Sequence, residues 1–278
     1  MNLKITPLTP AIGAEVGGVD LGADLPDSAI DELHRALCEH LVLFFRGQEL
    51  TPRAHVEFAR RFGELDKPHE VYPHAKGFDE ITEFAHDGKN RADTDEWHTD
   101  LTFKANPPFA AVLHALEVPA VGGDTLWTSM CAAYDGLPEA VKEQLAPLSA
   151  VHDIGSFRNN LLGRDHDIAA LNAALADGSA VHKLVARHPV SGRRILYVNQ
   201  SFTRQIIGMS VPDSDRLLQF LYSHANRPEF QVRFRWSKGA VAMWDNRATQ
   251  HYAAADYADF RRMHRVTVVN DRRVTPET

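Results

Sequence analysis

The feature that most constrains the fold is a series of short apolar runs, separated by turns, in the second half of the chain. These runs have the length and side-chain character of β-strands. Strands and helical patterns do not alternate regularly between them, which favours an antiparallel barrel or jelly roll with flanking helices over a doubly wound parallel sheet. The runs cover residues 110–116, 195–198, 230–236, 241–244 and 264–269, with helical patterns at 138–145 and 213–225.

Two amphipathic helices and a buried strand are predicted nearer the N-terminus. Apolar residues recur at spacings of three and four after a helix start at Asp27, which places them on one helix face. The run 41–45 predicts a buried strand, and residues 52–62 predict a second helix that begins with a proline. Residues 63–96 are polar and predict a loop-rich stretch. The sequence shows no repeat or linker, so residues 1–278 are expected to form a single domain.

Charge and cysteine content argue against several classes of protein. The net charge of -7 at pH 7 does not suit a nucleic-acid-binding surface, which needs an excess of Lys and Arg. Cys38 and Cys131 form no CxxC motif, so neither a disulfide framework nor a thiolate zinc site is expected. Signal-peptide and membrane-spanning patterns are absent. We expect a cytoplasmic protein without nucleic-acid or membrane partners, and the sequence leaves a homo-oligomer open.

The residues with the clearest chemical meaning are Trp97-His98-Thr99-Asp100. In an extended segment, side chains two residues apart point to the same side, so His98 and Asp100 would present a nitrogen and an oxygen to one point. A second histidine would complete a two-histidine, one-carboxylate metal face with open positions. An isolated HxD pattern is more often structural, and several other histidines are candidates for the third metal-ligand position. They include His114, His152, His182, His188, His224, His251 and His264.

Three later motifs accompany the HxD pattern: GGDTLW at 122–127, WDNRATQHY at 244–252 and RRMHR at 261–265. In this order and spacing they resemble the taurine dioxygenase family of Fe(II)- and 2-oxoglutarate-dependent oxygenases, over nearly the whole chain. The resemblance implies a mainly β fold with flanking helices and a double-stranded β-helix (jelly-roll) core. It also implies Fe(II), 2-oxoglutarate and O2 as cofactor and co-substrates, with His98, Asp100 and His251 as the catalytic iron ligands.

The resemblance further implies a site for 2-oxoglutarate, whose far carboxylate is met by an arginine, because a guanidinium can bind both oxygens of a carboxylate. In the family's RxMHR pattern this arginine lies four residues before a second arginine on the same strand, and this strand register selects Arg261 here. The family's spacing from the distal histidine would select Arg262 instead, and we favour the strand register. Thr125 is expected to bind the same carboxylate, and Leu116 and Trp244 are expected to wall the pocket.

The same resemblance implies a site for a small anionic substrate. Two positions depart from the taurine enzyme, which has asparagine at the place of Thr94 and valine at the place of Leu101. Both departures favour another anion over taurine itself. The other expected substrate-binding residues are His69, Tyr72, Ser156, Phe157, Phe202 and Arg265.

The expected reaction is hydroxylation of a small organic anion, with succinate and CO2 as co-products. An alkanesulfonate such as taurine comes first, and its hydroxylation would release sulfite and an aldehyde. A sulfate ester, as in an alkylsulfatase, or an aryloxyalkanoate is the alternative on the same scaffold. A zinc hydrolase and a non-catalytic binding protein are the alternatives from other classes, although the helical HExxH pattern of many zinc hydrolases is absent.

Overall fold

The structure is a computed structural model that describes residues 3–68, 72–89, 95–155 and 178–274. Within these residues the chain forms mainly short strands. The strands are β1 (Lys4–Pro7), β2 (Ala14–Gly17), β3 (Val42–Phe45), β4 (His74–Ala75), β5 (Phe78–His86), β6 (Ala110–Glu117), β7 (Thr125–Ser129), β8 (Ser149–Asp153), β9 (Ser179–Lys183), β10 (Val185–Arg187), β11 (Arg194–Leu196), β12 (Thr203–Ile206), β13 (Gln231–Phe234), β14 (Val241–Asp245), β15 (Thr249–Ala253) and β16 (Arg261–Val268). The helices are α1 (Asp27–His40), α2 (Pro52–Arg60), α3 (Met130–Asp135), α4 (Glu139–Leu145) and α5 (Val211–Ala225).

Two sheets form the core. The larger sheet has the strand order β1-β2-β3-β14-β6-β16-β5-β4, and the smaller has the order β13-β7-β15. Their strands pair antiparallel except for β2 with β3. The sheets pack face to face, since Phe44 stacks on Phe234 at 4.1 Å and meets Trp127 edge-on at 5.4 Å. This arrangement of two antiparallel sheets around one core confirms the predicted jelly roll.

Helices α1 and α2 cover the opposite face of the larger sheet. Ile30, Leu33 and Leu37 of α1 are buried there, together with outward-facing side chains of the central strands. At the start of α2, the Thr51 hydroxyl accepts a hydrogen bond from the backbone N–H of Ala54, which satisfies one of the free donors of the first turn. Because the central strands are buried on both faces, their inward-pointing side chains are held by packing.

Most of the predicted elements are present. The three helical stretches expected after α1 correspond to α2, α4 and α5, and the five later strand-like runs correspond to β6, β11, β13, β14 and β16. None of the helices in the described part of the chain is long and apolar enough to cross a membrane.

The prediction of an irregular stretch over residues 63–96 is wrong, because this stretch contains β4 and the nine-residue β5. Residues 81–86 of β5 pair with β16. Two of its acidic residues have cationic or imidazole partners, Glu80 with Arg60 and Glu83 with His264. Cross-strand pairing therefore stabilises β5 as a strand, although its polar composition does not predict one.

Candidate active site

The three predicted metal ligands meet at one place inside the jelly roll. The Nε2 atoms of His98 and His251 lie 3.9 and 4.0 Å from Oδ1 of Asp100, and all three residues are buried. Ligand atoms bound at about 2.0–2.2 Å to one ion are themselves roughly 3–4 Å apart. The spacing therefore fits a single divalent metal ion.

Backbone pairing explains why these residues come together. His98 and His251 exchange two backbone hydrogen bonds, of 3.1 and 2.7 Å, as an isolated antiparallel bridge. The Thr99 hydroxyl donates to the Thr249 carbonyl at 2.8 Å. The segment around His98 thus lies antiparallel beside β15 at this bridge, and the side chains of His98 and Asp100 face the same point, as the sequence predicted.

Asn246 holds the backbone of Asp100, one of the three predicted metal ligands, and the sequence did not indicate this role. Its Oδ1 accepts the backbone N–H of Asp100 at 2.9 Å, and its Nδ2 donates to the carbonyls of Asp100 at 3.0 Å and Pro108 at 3.1 Å. Asn246 is itself buried. The WDNR part of the motif at 244–247 contained this signal, but only as part of a family pattern.

The protonation states of the ligands suit a metal. The Nδ1–H of His98 donates to the Glu96 carbonyl at 2.7 Å, which leaves Nε2 with a lone pair for the ion. Burial, followed by the nearby His98, lowers the pKa of His251 to about 3, so this ring is neutral. Burial raises the pKa of Asp100, but Arg265 and the two histidines outweigh it and lower the pKa to about 2.

Two arginines of β16 point into the same cavity. Arg261 and Arg265 share a strand face, and Arg265 Nη1 donates to Asp100 Oδ1 at 3.1 Å. Arg261 is buried, with no carboxylate oxygen of the described residues within 4.0 Å of its guanidinium nitrogens. Arg262 points away and pairs with Glu117 at 2.8 Å, with 41% of its side chain exposed. The register thus turns Arg261, and not Arg262, toward the cavity.

A cavity of about 100 Å³ opens beside the metal group. Thr125 and Trp244 line it as predicted, as do Tyr72, Leu101 and Phe202. Residues that were not predicted also contribute to its wall. They are Phe84, His86, Glu96, Leu113, Trp127, Ser201, Ala253 and Met263.

Leu101 has an unusual backbone. It follows the ligand Asp100 directly and adopts φ 56°, in the left-handed region, although it is not a glycine. This conformation turns the chain after the metal ligand while its side chain lines the cavity. Such backbone strain is typical of functional sites.

Leu116 does not line the cavity that the described residues form, so this expectation is corrected. The register of β16 with β6 shifts between Arg262 and Met263, which oppose Glu117 and Ala115. Leu116 is the extra residue of this bulge, and Leu113 supplies the apolar wall instead. The remaining substrate-site predictions cannot be placed, since His69, Thr94, Ser156 and Phe157 lie outside the described residues.

The competing histidines have other partners. None of the following residues belongs to the metal group around Asp100 in the described part of the chain. His152 contacts Thr102, His182 contacts the Thr102 carbonyl, His188 contacts Asp245, His224 contacts the Ala133 carbonyl, His264 contacts Glu83, and His114 contacts the backbone of Gln48.

A second buried group, Cys38, His188 and Asp245, also brings potential metal ligands together. Here the carboxylate is already engaged: His188 Nε2 lies 2.9 Å from one oxygen of Asp245, and Arg247 donates to both oxygens at 2.6–2.9 Å. Arg247 also binds Asp271 at 3.1 Å. Burial raises the pKa of the Cys38 thiol to about 12. This group is a salt-bridge network rather than an open metal site.

Similarity to known proteins agrees with the geometry. The profile of the family described as "Taurine catabolism dioxygenase TauD, TfdA family" matches residues 4–267. The chain belongs to this family. Family membership makes it an Fe(II)- and 2-oxoglutarate-dependent dioxygenase, and the alternatives of a zinc hydrolase and a non-catalytic binding protein are set aside.

Relatives within the TauD/TfdA family cover nearly the whole chain. An alkylsulfatase from Acinetobacter baylyi is 38% identical over 99% of this chain and 84% of its own length. An alpha-ketoglutarate-dependent sulfate ester dioxygenase from Pseudomonas putida is 37% identical over 98% of this chain and 91% of its own. The crystal structure of a taurine dioxygenase from Burkholderia xenovorans superposes with a TM-score of 0.83 at 37% identity, covering 98% of this chain and 90% of that one.

Proposed function

We propose that this dioxygenase cleaves small alkyl sulfate esters and alkanesulfonates by hydroxylating the carbon next to the sulfo group. We use "sulfo anion" for either ending, –OSO₃⁻ or –SO₃⁻. The observation that carries the proposal is the pair of arginines, Arg261 and Arg265, on one strand face beside the metal group. Two cations can hold two different anions, the co-substrate and the substrate, at the same time.

The residues present suit the cofactor and co-substrate of the family. His98, Asp100 and His251 would hold Fe(II) and leave open positions for the chelating end of 2-oxoglutarate and for O2. Iron loaded with these two molecules supplies the oxidant that takes a hydrogen from the substrate carbon and returns a hydroxyl group. All other contributions described below come from the side chains of this chain.

Arg261 is the residue that we assign to the far carboxylate of 2-oxoglutarate. Its Nε is buried without an acceptor, and burial lowers the pKa of its guanidinium. A buried cation without a counter-charge is costly, and an anionic ligand offsets that cost. The Thr125 hydroxyl can support the same carboxylate, since it already accepts from Trp236 Nε1 at 2.9 Å and keeps its own proton to donate.

Arg265 is the residue that we assign to the sulfo anion. One Nη donates to the metal ligand Asp100, while its buried Nε has no acceptor. An anion bound at the free donor would be held within reach of the metal without displacing Arg265 from Asp100. Phe84 lies under the guanidinium, 5.0 Å from the ring centroid, and limits its movement.

The apolar walls define the rest of the substrate. Leu101, Leu113, Phe202 and Met263 line the cavity, so a short alkyl stem can be buried and water excluded from the reacting carbon. The sequence alone favoured alkanesulfonates over sulfate esters. The names of the two relatives at 37–38% identity point to sulfate esters, whereas the taurine dioxygenase structure points to sulfonates, so both are included.

The product released identifies the substrate. Hydroxylation of the carbon of a sulfate ester gives an unstable hemiacetal sulfate, which collapses to an aldehyde and inorganic sulfate. Hydroxylation of an alkanesulfonate at the corresponding carbon gives an aldehyde and sulfite. In both cases one molecule of 2-oxoglutarate and one of O2 yield succinate, CO2 and the added oxygen atom.

The test is a panel of alkyl sulfates, alkanesulfonates and aryloxyalkanoates with matched chain lengths. Succinate is measured by chromatography, sulfate and sulfite by ion chromatography, and the iron-loaded protein without substrate serves as the control for uncoupled turnover. We expect substrate-dependent succinate with an equimolar sulfur anion. Brisk succinate formation with aryloxyalkanoates alone, and no sulfur anion from any compound, would refute the proposal.

A further inference from the structure

Glu96 places a carboxylate in the wall of the cavity. It lies two residues before the metal ligand His98, whose Nδ1–H donates to the Glu96 backbone carbonyl at 2.7 Å. The backbone of Glu96 is therefore fixed relative to the metal group. Its side chain lines the cavity, and Ser201 Oγ donates to one of its carboxylate oxygens at 3.2 Å.

The charge of Glu96 is not balanced by a neighbouring cation. In the described part of the chain, no Lys, Arg or His nitrogen lies within 4.0 Å of its carboxylate. Asp100, the other acidic residue of the cavity wall, is paired with Arg265. Ser201 supplies a neutral donor, so no ion pair among the described residues engages the Glu96 carboxylate.

In the proposed complex both arginines are paired with anions, and Glu96 is the charged group that faces the tail of the substrate. Arg261 is neutralised by 2-oxoglutarate, and Arg265 is shared between Asp100 and the sulfo anion. Among the described residues, the rest of the wall is mostly apolar and includes Leu101 and Phe202. A second anionic group on the substrate would therefore meet an uncompensated like charge, whereas a cationic group would find a partner.

We infer that Glu96 determines specificity for the charge at the tail of the substrate. The enzyme accepts sulfo anions with a neutral or cationic tail and discriminates against those with a second anionic group. This inference rests on the proposed function, because it takes Arg265 as the site of the sulfo anion. Glu96 touches the substrate tail and takes no part in the chemistry at the metal.

The test uses three alkyl sulfates of equal chain length that end in a methyl, an ammonium or a carboxylate group. For the native enzyme, kcat/KM should be highest for the ammonium or methyl compound and lowest for the carboxylate. Glu96→Gln keeps the shape and the oxygen that Ser201 binds. It should raise kcat/KM for the carboxylate compound about five- to tenfold and lower it for the ammonium compound by a similar factor, with a smaller change for the methyl compound than for either.

Asp95→Asn is the matched control, because Asp95 is adjacent to Glu96 and exposed like it, lies outside the cavity wall and changes the net charge equally. It should shift all three compounds equally and by less than about twofold. Equal shifts in both variants, or a native enzyme indifferent to the tail, would overturn the role of Glu96 while leaving the proposed function intact.

Anaerobic calorimetry of the same three compounds on the protein loaded with Mn(II) and 2-oxoglutarate separates binding from turnover. The affinities should follow the same order and the same response to Glu96→Gln. If the methyl compound neither binds nor reacts, the proposed function fails, and the inference that rests on it fails as well.

Discussion

Within the described residues, two buried groups each bring three potential metal ligands together. One is His98, Asp100 and His251, and the other is Cys38, His188 and Asp245. In the first group the histidine nitrogens stand 3.9–4.0 Å from the carboxylate oxygen. In the second group the histidine lies at the hydrogen-bond distance of 2.9 Å.

The difference lies in what already occupies the carboxylate. Asp245 has both oxygens bound by Arg247 and one also by His188, so a permanent cation fills the place that an ion would take. Asp100 has one bond to Arg265 and otherwise faces open space. A metal site therefore needs ligand atoms that lie close together but do not already form hydrogen bonds or ion pairs with one another.

The largest expected effect comes from removing a ligand of the first group. His98→Ala, Asp100→Ala or His251→Ala should reduce succinate formation to background, because Fe(II) is no longer held. Thermal unfolding should change little, since so large a core does not need a metal to form. Iron titration and calorimetry give the two readouts, and iron binding with turnover in His251→Ala would contradict the assignment of that ligand.

The second prediction separates the two adjacent arginines. Arg261→Ala should raise the KM for 2-oxoglutarate about 100- to 1000-fold, equivalent to about 3–4 kcal/mol for losing one partner of a buried charge pair. Arg262→Ala is the matched control and should stay within about twofold, because its pair with Glu117 is exposed. Steady-state succinate assays over a range of 2-oxoglutarate concentrations measure both, and the reverse order would show that Arg262 binds the carboxylate.

The third prediction tests the second group directly. Asp245→Asn should lower the free energy of unfolding by about 3 kcal/mol, because Arg247 loses the charge of its main partner inside the protein. Denaturant titration measures the change. Asp100→Asn is the comparison, and we expect a smaller loss, because Asp100 has one hydrogen bond to one arginine, whereas Asp245 binds both Arg247 and His188. Equal stability losses would mean that both groups are structural.

The fourth prediction concerns Asn246, which follows Asp245 of the second group and hydrogen-bonds Asp100 of the first. Asn246→Ala should weaken Mn(II) binding about 10- to 100-fold by freeing the backbone of Asp100. Asn199→Ala is the control, because Asn199 is equally buried and hydrogen-bonded, to Thr102 and Phe202. It should cost stability without changing the Mn(II) affinity, as measured by electron paramagnetic resonance. Equal Mn(II) affinities in the two variants would remove the positioning role of Asn246.

The smallest expected effect comes from two buried histidines between α2 and the larger sheet, His55 and His114. Burial lowers the pKa of His55 to about 3 and that of His114 to about 4. Unfolded histidines take up a proton below about pH 6.5, while these stay neutral in the native protein. The unfolded state therefore binds more protons, and stability falls as the pH drops from about 6.5 toward 4.

The expected size of this pH effect is about 1 kcal/mol per histidine between pH 6 and 5. Denaturant titrations at several pH values measure it. His114→Leu should flatten the dependence, whereas replacement of the half-buried His182, which contacts backbone carbonyls, should alter it less. An unchanged slope in His114→Leu would show that other groups cause the acid sensitivity.

Much of the site could be predicted because its signals are local. The i, i+2 spacing of His98 and Asp100 needs only an extended backbone, and alternation along one strand separates Arg261 from Arg262. The pairing of distant histidine His251 with His98 is not local, and only the family motif brought it into the prediction. The single domain, the oligomeric state and the cytoplasmic location stay predictions.

Other parts of the site depend on tertiary detail that no local pattern carries. The bulge that removes Leu116 from the cavity and leaves Leu113 in its place is set by the register of two distant strands. The hydrogen bonds between Asn246 and the backbone of Asp100 join residues 146 positions apart. The strand β5 is stabilised by its neighbours rather than by its own composition.

The left-handed backbone of Leu101 has a practical consequence for redesigning the substrate range. A library at this position would not sample pocket size alone, because each residue also changes the cost of φ 56°. Glycine or asparagine would enlarge the pocket and relieve strain together, whereas valine or isoleucine would be penalised by the backbone before any substrate is bound. Variants selected at position 101 would thus be biased toward residues that tolerate this turn, and a failed β-branched variant would report the backbone cost as well as the fit of the substrate.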